Sequence, residues 1–248
     1  MLQNTFIHLP SIGYQKEKSL WNSGIKTWDD FLDQFRSDDS KQNYISELFK
    51  SKSALHEQDP FYFSRCLRSS ELWRTWPEFK GKTVFLDIET TGLSPRYNEV
   101  TVVGLYDGKK EKCFIQGKNL EFLNEELARY KSVITFNGAL FDIPFLQASL
   151  DSVFIPPLHI DLRFLLNSLG YWGGLKKIEK DLGLERESEI SNLSGKDAVK
   201  LWRRYKKGDH DALDLLVKYN IADIKNLKIL MEFAYGKKKT KSGFIDKQ

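Results

Sequence analysis

Residues Val84–Leu93 read V-F-L-D-I-E-T-T-G-L, and the reading of this run decides the fold. Val84, Phe85, Leu86 and Ile88 are branched or aromatic and predict a strand. Side chains alternate along a strand, so Asp87 and Glu89 share one face. Two like charges beside a core repel each other and lose hydration. A bound divalent cation would compensate both at once. A strand end emerging into solvent with two acids on it fits the same residues.

Two runs downstream bear on that choice. Ser132–Phe145 reads S-V-I-T-F-N-G-A-L-F-D-I-P-F. Val133, Ile134 and Phe136 form a short buried strand, Asn137-Gly138 breaks it, and a helix follows. Asp142 falls in the first turn of that helix, where free amides stabilise a carboxylate; taken alone it is an ordinary helix acid. The third run is Tyr219-Asn220-Ile221-Ala222-Asp223. Positions i and i+4 lie on one helix face, so Tyr219 and Asp223 point together, either toward a site or merely into a mutual hydrogen bond. The three runs supply four carboxylates, Asp87, Glu89, Asp142 and Asp223. Such a set suits Mg²⁺ or Mn²⁺, and two ions would neutralise it enough to admit a phosphodiester.

These residues carry a resemblance. D-x-E followed by T-T-G-L, then N-x-x-x-F-D, then Y-x-x-x-D is similar in order and spacing to the three motifs of the DEDD, or DnaQ-like, 3′–5′ exonucleases. Tyr219, four residues before Asp223, resembles the tyrosine subclass. Further runs resemble the YprB-like branch of ribonuclease H-like nucleases. They are His159-Ile160-Asp161-Leu162, Leu175-Lys176-Lys177-Ile178-Glu179, and Leu201-Trp202 onward to Gly208-Asp209. The likeness spans about Trp73–Phe233.

The resemblance implies an α/β fold, a ribonuclease H-like mixed sheet flanked by helices. It implies two divalent ions, Mg²⁺ or Mn²⁺, held by Asp87, Glu89, Asp142 and Asp223, with Tyr219 orienting the attacking water. It implies that Thr90, Thr91, Gly92 and Leu93 seat a terminal nucleotide, with Asn137 and Phe141 lining the same cleft. A plain turn at 90–93 and a core role for Phe141 remain open readings. His159 and Asp161 could form a metal site, but a supporting role is preferred, with Asp161 as cap of the helix beginning at Leu162. The implied activity is metal-dependent 3′–5′ hydrolysis of nucleic acid to nucleoside 5′-monophosphates, on single-stranded ends; the N-terminal run from Leu9 leans to DNA over RNA. A structure-specific endonuclease of the same fold and an inactive nucleic-acid-binding module are the alternatives.

The rest of the chain sets the frame. Residues 1–80 predict helices over Tyr14–Asn22, Trp28–Phe35 and Gln42–Leu55, with another beginning at Pro60. Within them, Leu9-Pro10-Ser11-Ile12-Gly13 onward resembles a helix-hairpin-helix element, a reader of DNA phosphates, although Ser11 stands where a glycine is common. Residues 81–236 predict the nuclease domain. Its strands are expected over Thr83–Ile88, Glu99–Tyr106, Lys112–Gln116, Ser132–Phe136 and Leu158–Ile160. Its helices include Leu120–Tyr130, Leu140–Leu150 and Asp211–Phe233. Residues 237–248 read as a basic tail.

The 248 residues are 41% hydrophobic and 13% aromatic, enough for one large or two smaller cores. The net charge of +4 is mild, but lysines and arginines cluster at 176–177, 203–207 and 237–241, as solvated faces or as phosphate contacts. No run approaches the ~20 apolar residues of a membrane span. Met1–Thr5 lacks the features of a signal peptide, and two cysteines make no disulfide framework. A cytoplasmic location without a membrane partner is therefore expected.

Overall fold

The computed structural model describes residues 1–245. It divides into two compact units. One is Met1–Lys80 with the chain from Tyr235 onward; the other is Gly81–Ala234.

The first unit is helical, with α1 (Tyr14–Asn22), α2 (Trp28–Phe35), α3 (Gln42–His56), α4 (Pro60–Cys66) and the single turn α5 (Trp76–Phe79). The sequence marks the boundaries. Gly24, at φ +94°, follows the end of α1. Thr27 and Asp30 cap α2 reciprocally, at 2.8 and 3.0 Å. Pro60 opens α4, with the Asp59 carboxylate accepting the Phe61 amide. Phe6, Trp28, Leu48 and Phe63 are fully buried. Arg74 lies among them and is satisfied by Glu17, at 2.9 and 3.0 Å, and by Glu71, at 2.8 Å. Burial raises the Glu17 carboxyl above its ordinary range and Arg74 opposes that shift. Ser11 takes φ +58°, a conformation glycine adopts more readily.

The second unit is built on a five-stranded sheet in the order β3-β2-β1-β4-β5. The strands are β1 (Thr83–Thr90), β2 (Val100–Tyr106), β3 (Glu111–Ile115), β4 (Ser132–Thr135) and β5 (Leu158–Asp161). The β1–β2 and β2–β3 pairs are antiparallel, as short connections allow. The β1–β4 and β4–β5 pairs are parallel, which requires crossovers. The helices are α6 (Leu123–Leu127), α7 (Asp142–Ser149), α8 (Leu162–Asn167), α9 (Leu175–Asp181), α10 (Ser188–Ser191), α11 (Gly195–Tyr205) and α12 (His210–Ser242), of which the part from Tyr235 onward belongs to the first unit.

Alternation along β1 assigns the two layers. Val84, Leu86 and Ile88 pack with Leu123, Leu127, Phe145 and Leu146 on one face. On the other, Val102 of β2 packs with Ala198, Leu201 and Trp202 of α11 and with Leu213 and Leu216 of α12. Asp87 and Glu89 belong to this second face.

Two helices differ most from expectation. The segment expected over Leu120–Tyr130 begins as a 3₁₀ turn, Leu120–Phe122, and is α-helical only over α6. The helix expected to end at Phe233 runs on through the lysine cluster to Ser242. Lysine is a good helix former, and cations suit a helix C-terminus. Of the tail read as 237–248, residues 246–248 lie outside the described residues.

One close approach fixes the second layer on the sheet. Gly104 of β2 pairs with Asp87, and the fully buried Asn220 of α12 lies over it. A Cβ at position 104 would stand 1.9 Å from Asn220 Oδ1. Gly104→Ala is therefore expected to cost about 1–3 kcal/mol by overpacking, read as a lower denaturation midpoint. An unchanged midpoint would show that α12 is not held at this distance.

Candidate metal centre

β4 pairs with β1 only at Thr83, Val84 and Phe85. Beyond Phe85 no β4 partner covers that edge of β1, and the amide of Ile88 donates to Asp142 Oδ1 at 3.2 Å. This is the carboxyl end of two adjacent parallel strands, where open α/β sheets characteristically place their sites. Asp87 and Glu89 reach the same end from β1. A register shift falls between Glu89 and Thr90, beyond which Thr90 still pairs with Val100.

α12 supplies the third side. Leu216, Tyr219, Asn220, Asp223, Ile224 and Leu227 are all buried, so the polar residues lie on the stripe that packs against the sheet. Asn220 Nδ2 donates to the Asp87 carboxylate at 2.8 Å and to its backbone carbonyl at 3.2 Å. One ligand atom each from Asp87, Glu89 and Asp223 lies within 4.8 Å of the others. Asp142 stands beside this trio rather than in it, tied to the Ile88 amide.

The electrostatics follow from that crowding. Burial, then the Asp223, Asp142 and Glu89 charges, hold Asp87 well above the ordinary carboxylate range. Glu89 is raised in the same way. Burial brings Asp142 up to about 7, against the opposing pull of the backbone amides it accepts. Asp223 reaches about 6, with burial again the main cause and Arg186 restraining it. The donor set is all oxygen, which is the chemistry Mg²⁺ and Mn²⁺ require. These residues fit such an ion.

A cleft of about 720 Å³ opens over the acids. One wall is β1 and its turn, Asp87–Leu93. The other is α11, through Lys196, Val199, Lys200 and Arg203, with Phe141, Tyr219 and Asp223 also facing the space. Thr90 Oγ1 donates to Gly92 O at 2.6 Å, and Thr91 Oγ1 accepts the Glu99 amide at 3.0 Å. The two threonines thus shape the turn that lines the cleft. Leu93 is 86% exposed at its tip.

The matching family model is that of the RNase_H superfamily, over residues 84–235. The chain belongs to the RNase_H superfamily. No curated protein matches it. Among solved structures it is similar to the family B DNA polymerase from the hyperthermophilic archaeon Pyrobaculum calidifontis. Identity is 15% and the TM-score 0.47, over 64% of this chain and 24% of the polymerase, about a quarter of its length. It is also similar to Brucella melitensis NrnC with bound Mg²⁺, at 18% identity and TM-score 0.44, covering 66% of this chain and 77% of that one. The EXO domain of Aedes aegypti Nibbler matches at 14% identity and TM-score 0.40, over 68% and 85% of the two chains. The ribonuclease H-like mixed sheet expected from the motifs is the observed one, with a helical N-terminal region before it.

The candidate residues divide on inspection. Asp87, Glu89, Thr90, Thr91, Gly92, Leu93, Phe141, Tyr219 and Asp223 all face the cleft. Asn137 does not line it. Its amide donates to Asp161 Oδ1 at 2.8 Å, and its side-chain oxygen accepts from Arg163 at 2.6 Å. Asp161 also takes the Ala139 and Arg163 amides, and His159 is hydrogen-bonded to Thr135 at 2.8 Å. His159 and Asp161 therefore hold the loop before α7, and Asp161 caps α8 as read from the sequence.

Sequence reasoning missed Arg186. It binds Glu179 through two 2.7 Å hydrogen bonds, meets Asp223 at 2.5 Å, and lies over the Tyr219 ring at 5.6 Å. No local pattern announces it, because its partners are 7, 37 and 33 residues away. Asn220 was quoted without a role, yet Gly104, a glycine inside a strand, signals the close approach that Asn220 exploits.

The raised carboxyls set a pH dependence. An acid whose folded pKa exceeds its unfolded value binds protons more readily when folded, so stability falls as pH rises between the two. For Asp142 that window runs from 3.8 to about 7. The metal-free protein should lose several degrees of Tm across it, and Mg²⁺ should restore them at pH 8. Asp142→Asn removes a charge while keeping an acceptor for Ile88, so it should raise the metal-free Tm at pH 8. A lower Tm would mean that the acids do not repel one another as described.

Proposed function

We propose that the chain is a metal-dependent 3′–5′ exonuclease that hydrolyses nucleic acid to nucleoside 5′-monophosphates. The observation that carries this reading is the gathering of Asp87, Glu89 and Asp223 within 4.8 Å, on the floor of an open cleft that Tyr219 also faces. Asp87, Glu89, Asp142 and Asp223 would hold two divalent ions, Mg²⁺ or Mn²⁺, which when bound supply an acidified water and stabilise the attacking and leaving oxygens.

The chain's own residues do the rest. Burial, and then the charges of Asp223, Glu89 and Asp87, hold the Tyr219 phenol above its ordinary value. Tyr219 therefore keeps its proton and acts as a hydrogen-bond donor that orients the water, not as a base. Arg186, pinned by Glu179, fixes Asp223 and the Tyr219 ring together. Asn220 fixes the Asp87 carboxylate. Thr90–Gly92 would present the terminal nucleotide to the acids, with Leu93 and Phe141 offering apolar surface to its base and sugar. Single-stranded 3′ ends are the assigned substrate, and DNA is favoured over RNA on the helix-hairpin-helix-like start.

The test is degradation of end-labelled single- and double-stranded DNA and RNA in Mg²⁺, Mn²⁺ and EDTA. We expect mononucleotides released from the 3′ end in metal and none in EDTA, loss of activity in Asp87→Ala, and a turnover lower by about tenfold or more in Tyr219→Phe. Activity surviving Asp87→Ala would place the chemistry elsewhere. Cleavage of a circular substrate would mark an endonuclease, and binding without any metal-dependent cleavage an inactive module.

A further inference from the structure

The α11 wall of the cleft takes no part in the chemistry just assigned, and its composition is specific. Ala198, Leu201 and Trp202 are buried against Val102 and α12, which fixes the rotation of the helix. Ser194 and Asp197 anchor its start, the Ser194 amide and hydroxyl donating to the Asp197 carboxylate at 3.1 and 2.6 Å. The flank thereby turned into the cleft carries Lys196, Val199, Lys200 and Arg203, at spacings i, i+3, i+4 and i+7. All three cations are exposed. Lys196 and Arg203 have no acidic partner among the described residues, and Lys200 has only an exposed pairing with Asp197 at 2.9 Å, worth little in water.

The charge pattern across the cleft is therefore divided. The acids lie on the floor and are to be neutralised by ions, whereas the α11 flank stays positive. Lys196 to Arg203 spans roughly 10 Å along the helix axis at 1.5 Å per residue. A row of cations of that length beside a site for phosphodiester chemistry complements a run of backbone phosphates. Lysines meet phosphates as point charges, without reading bases. Val199, Phe141 and Leu93 offer apolar surface to sugars and bases of any sequence.

We propose that the Lys196–Lys200–Arg203 flank of α11 is the track that holds the phosphate backbone of a single nucleic-acid strand whose end lies at the acids, without sequence preference. This rests on the nuclease reading for its ligand, but binding tests it separately from hydrolysis. The probe is a fluorescein-labelled single-stranded decanucleotide, followed by anisotropy at a fixed Ca²⁺ concentration, which neutralises the acids, over a series of KCl concentrations. Two triple variants are compared with the wild type: K196Q/K200Q/R203Q, and the matched-charge K109Q/K110Q/K180Q, whose lysines are exposed and do not line the cleft. Glutamine suits a helix, so the cleft variant keeps its fold.

The cleft variant should bind at least tenfold more weakly at low salt. Its plot of log affinity against log salt should be shallower by about two, from three lost phosphate contacts at ~0.7 each. The control should stay within twofold of the wild type. Equal binding by the cleft variant and the wild type, an equal loss in the control, or no binding by the wild type would each overturn the track. Tight wild-type binding with no hydrolysis in Mg²⁺ or Mn²⁺ would instead sink the nuclease reading and leave the track standing.

Discussion

Mutual repulsion among four carboxylates, three buried and Asp87 half-buried, is the constraint around which the second unit is arranged. Asp87, Glu89, Asp142 and Asp223 come from three separate segments and are held together at a cost in hydration and charge. The surrounding groups make that tolerable. Ile88 gives its amide to Asp142, Asn220 gives its amide group to Asp87, and Arg186 gives its charge to Asp223. None of these compensations is complete, and all four acids remain raised. A site that is unfavourable when empty and favourable when charged with cations is pre-organised for metal, because the fold rather than the ion brings the ligands together.

The fold supplies that organisation through two choices. β4 pairs with β1 for three residues and then leaves its edge open, exposing the amide that Asp142 takes. Gly104 lets α12 sit directly on the sheet, so that one helix delivers Tyr219, Asn220 and Asp223 to β1 together. Asp87, Glu89 and Asp223 are therefore carried by the sheet and the long helix, and Asp142 by the start of α7. The cleft wall that meets solvent is carried instead by α11, whose buried face fixes where its lysines and arginine point. On the proposed reading, chemistry and substrate holding thus reside on different elements.

Much of this was legible in the sequence because it obeys local rules. The two-residue spacing of Asp87 and Glu89 on an apolar run, and the four-residue spacing of Tyr219 and Asp223, state their shared faces outright. The helix starts after Thr27 and Asp161 were readable from capping chemistry, and the one at Pro60 from proline's tolerance of a first turn. The unread parts are those set by long-range contact. Arg186 sits in a charged stretch that looks like any solvated surface, and only the packing of its segment against α12 buries it beside Asp223. Asn137 belongs to a motif but serves its loop, because Asp161 and Arg163 claim its polar groups. The helical continuation to Ser242 was hidden by reading lysines as a tail when they are equally good helix formers.

The central claim is that the buried acids are a divalent metal centre. The most direct measurement is anomalous diffraction from crystals grown with Mn²⁺. The account predicts strong manganese peaks between Asp87, Glu89, Asp142 and Asp223, the ions joining Arg186 and Lys176 as counter-charges of Asp223, and loss of those peaks in Asp87→Ala. Manganese bound elsewhere on the chain, with the four carboxylates bare, would contradict it.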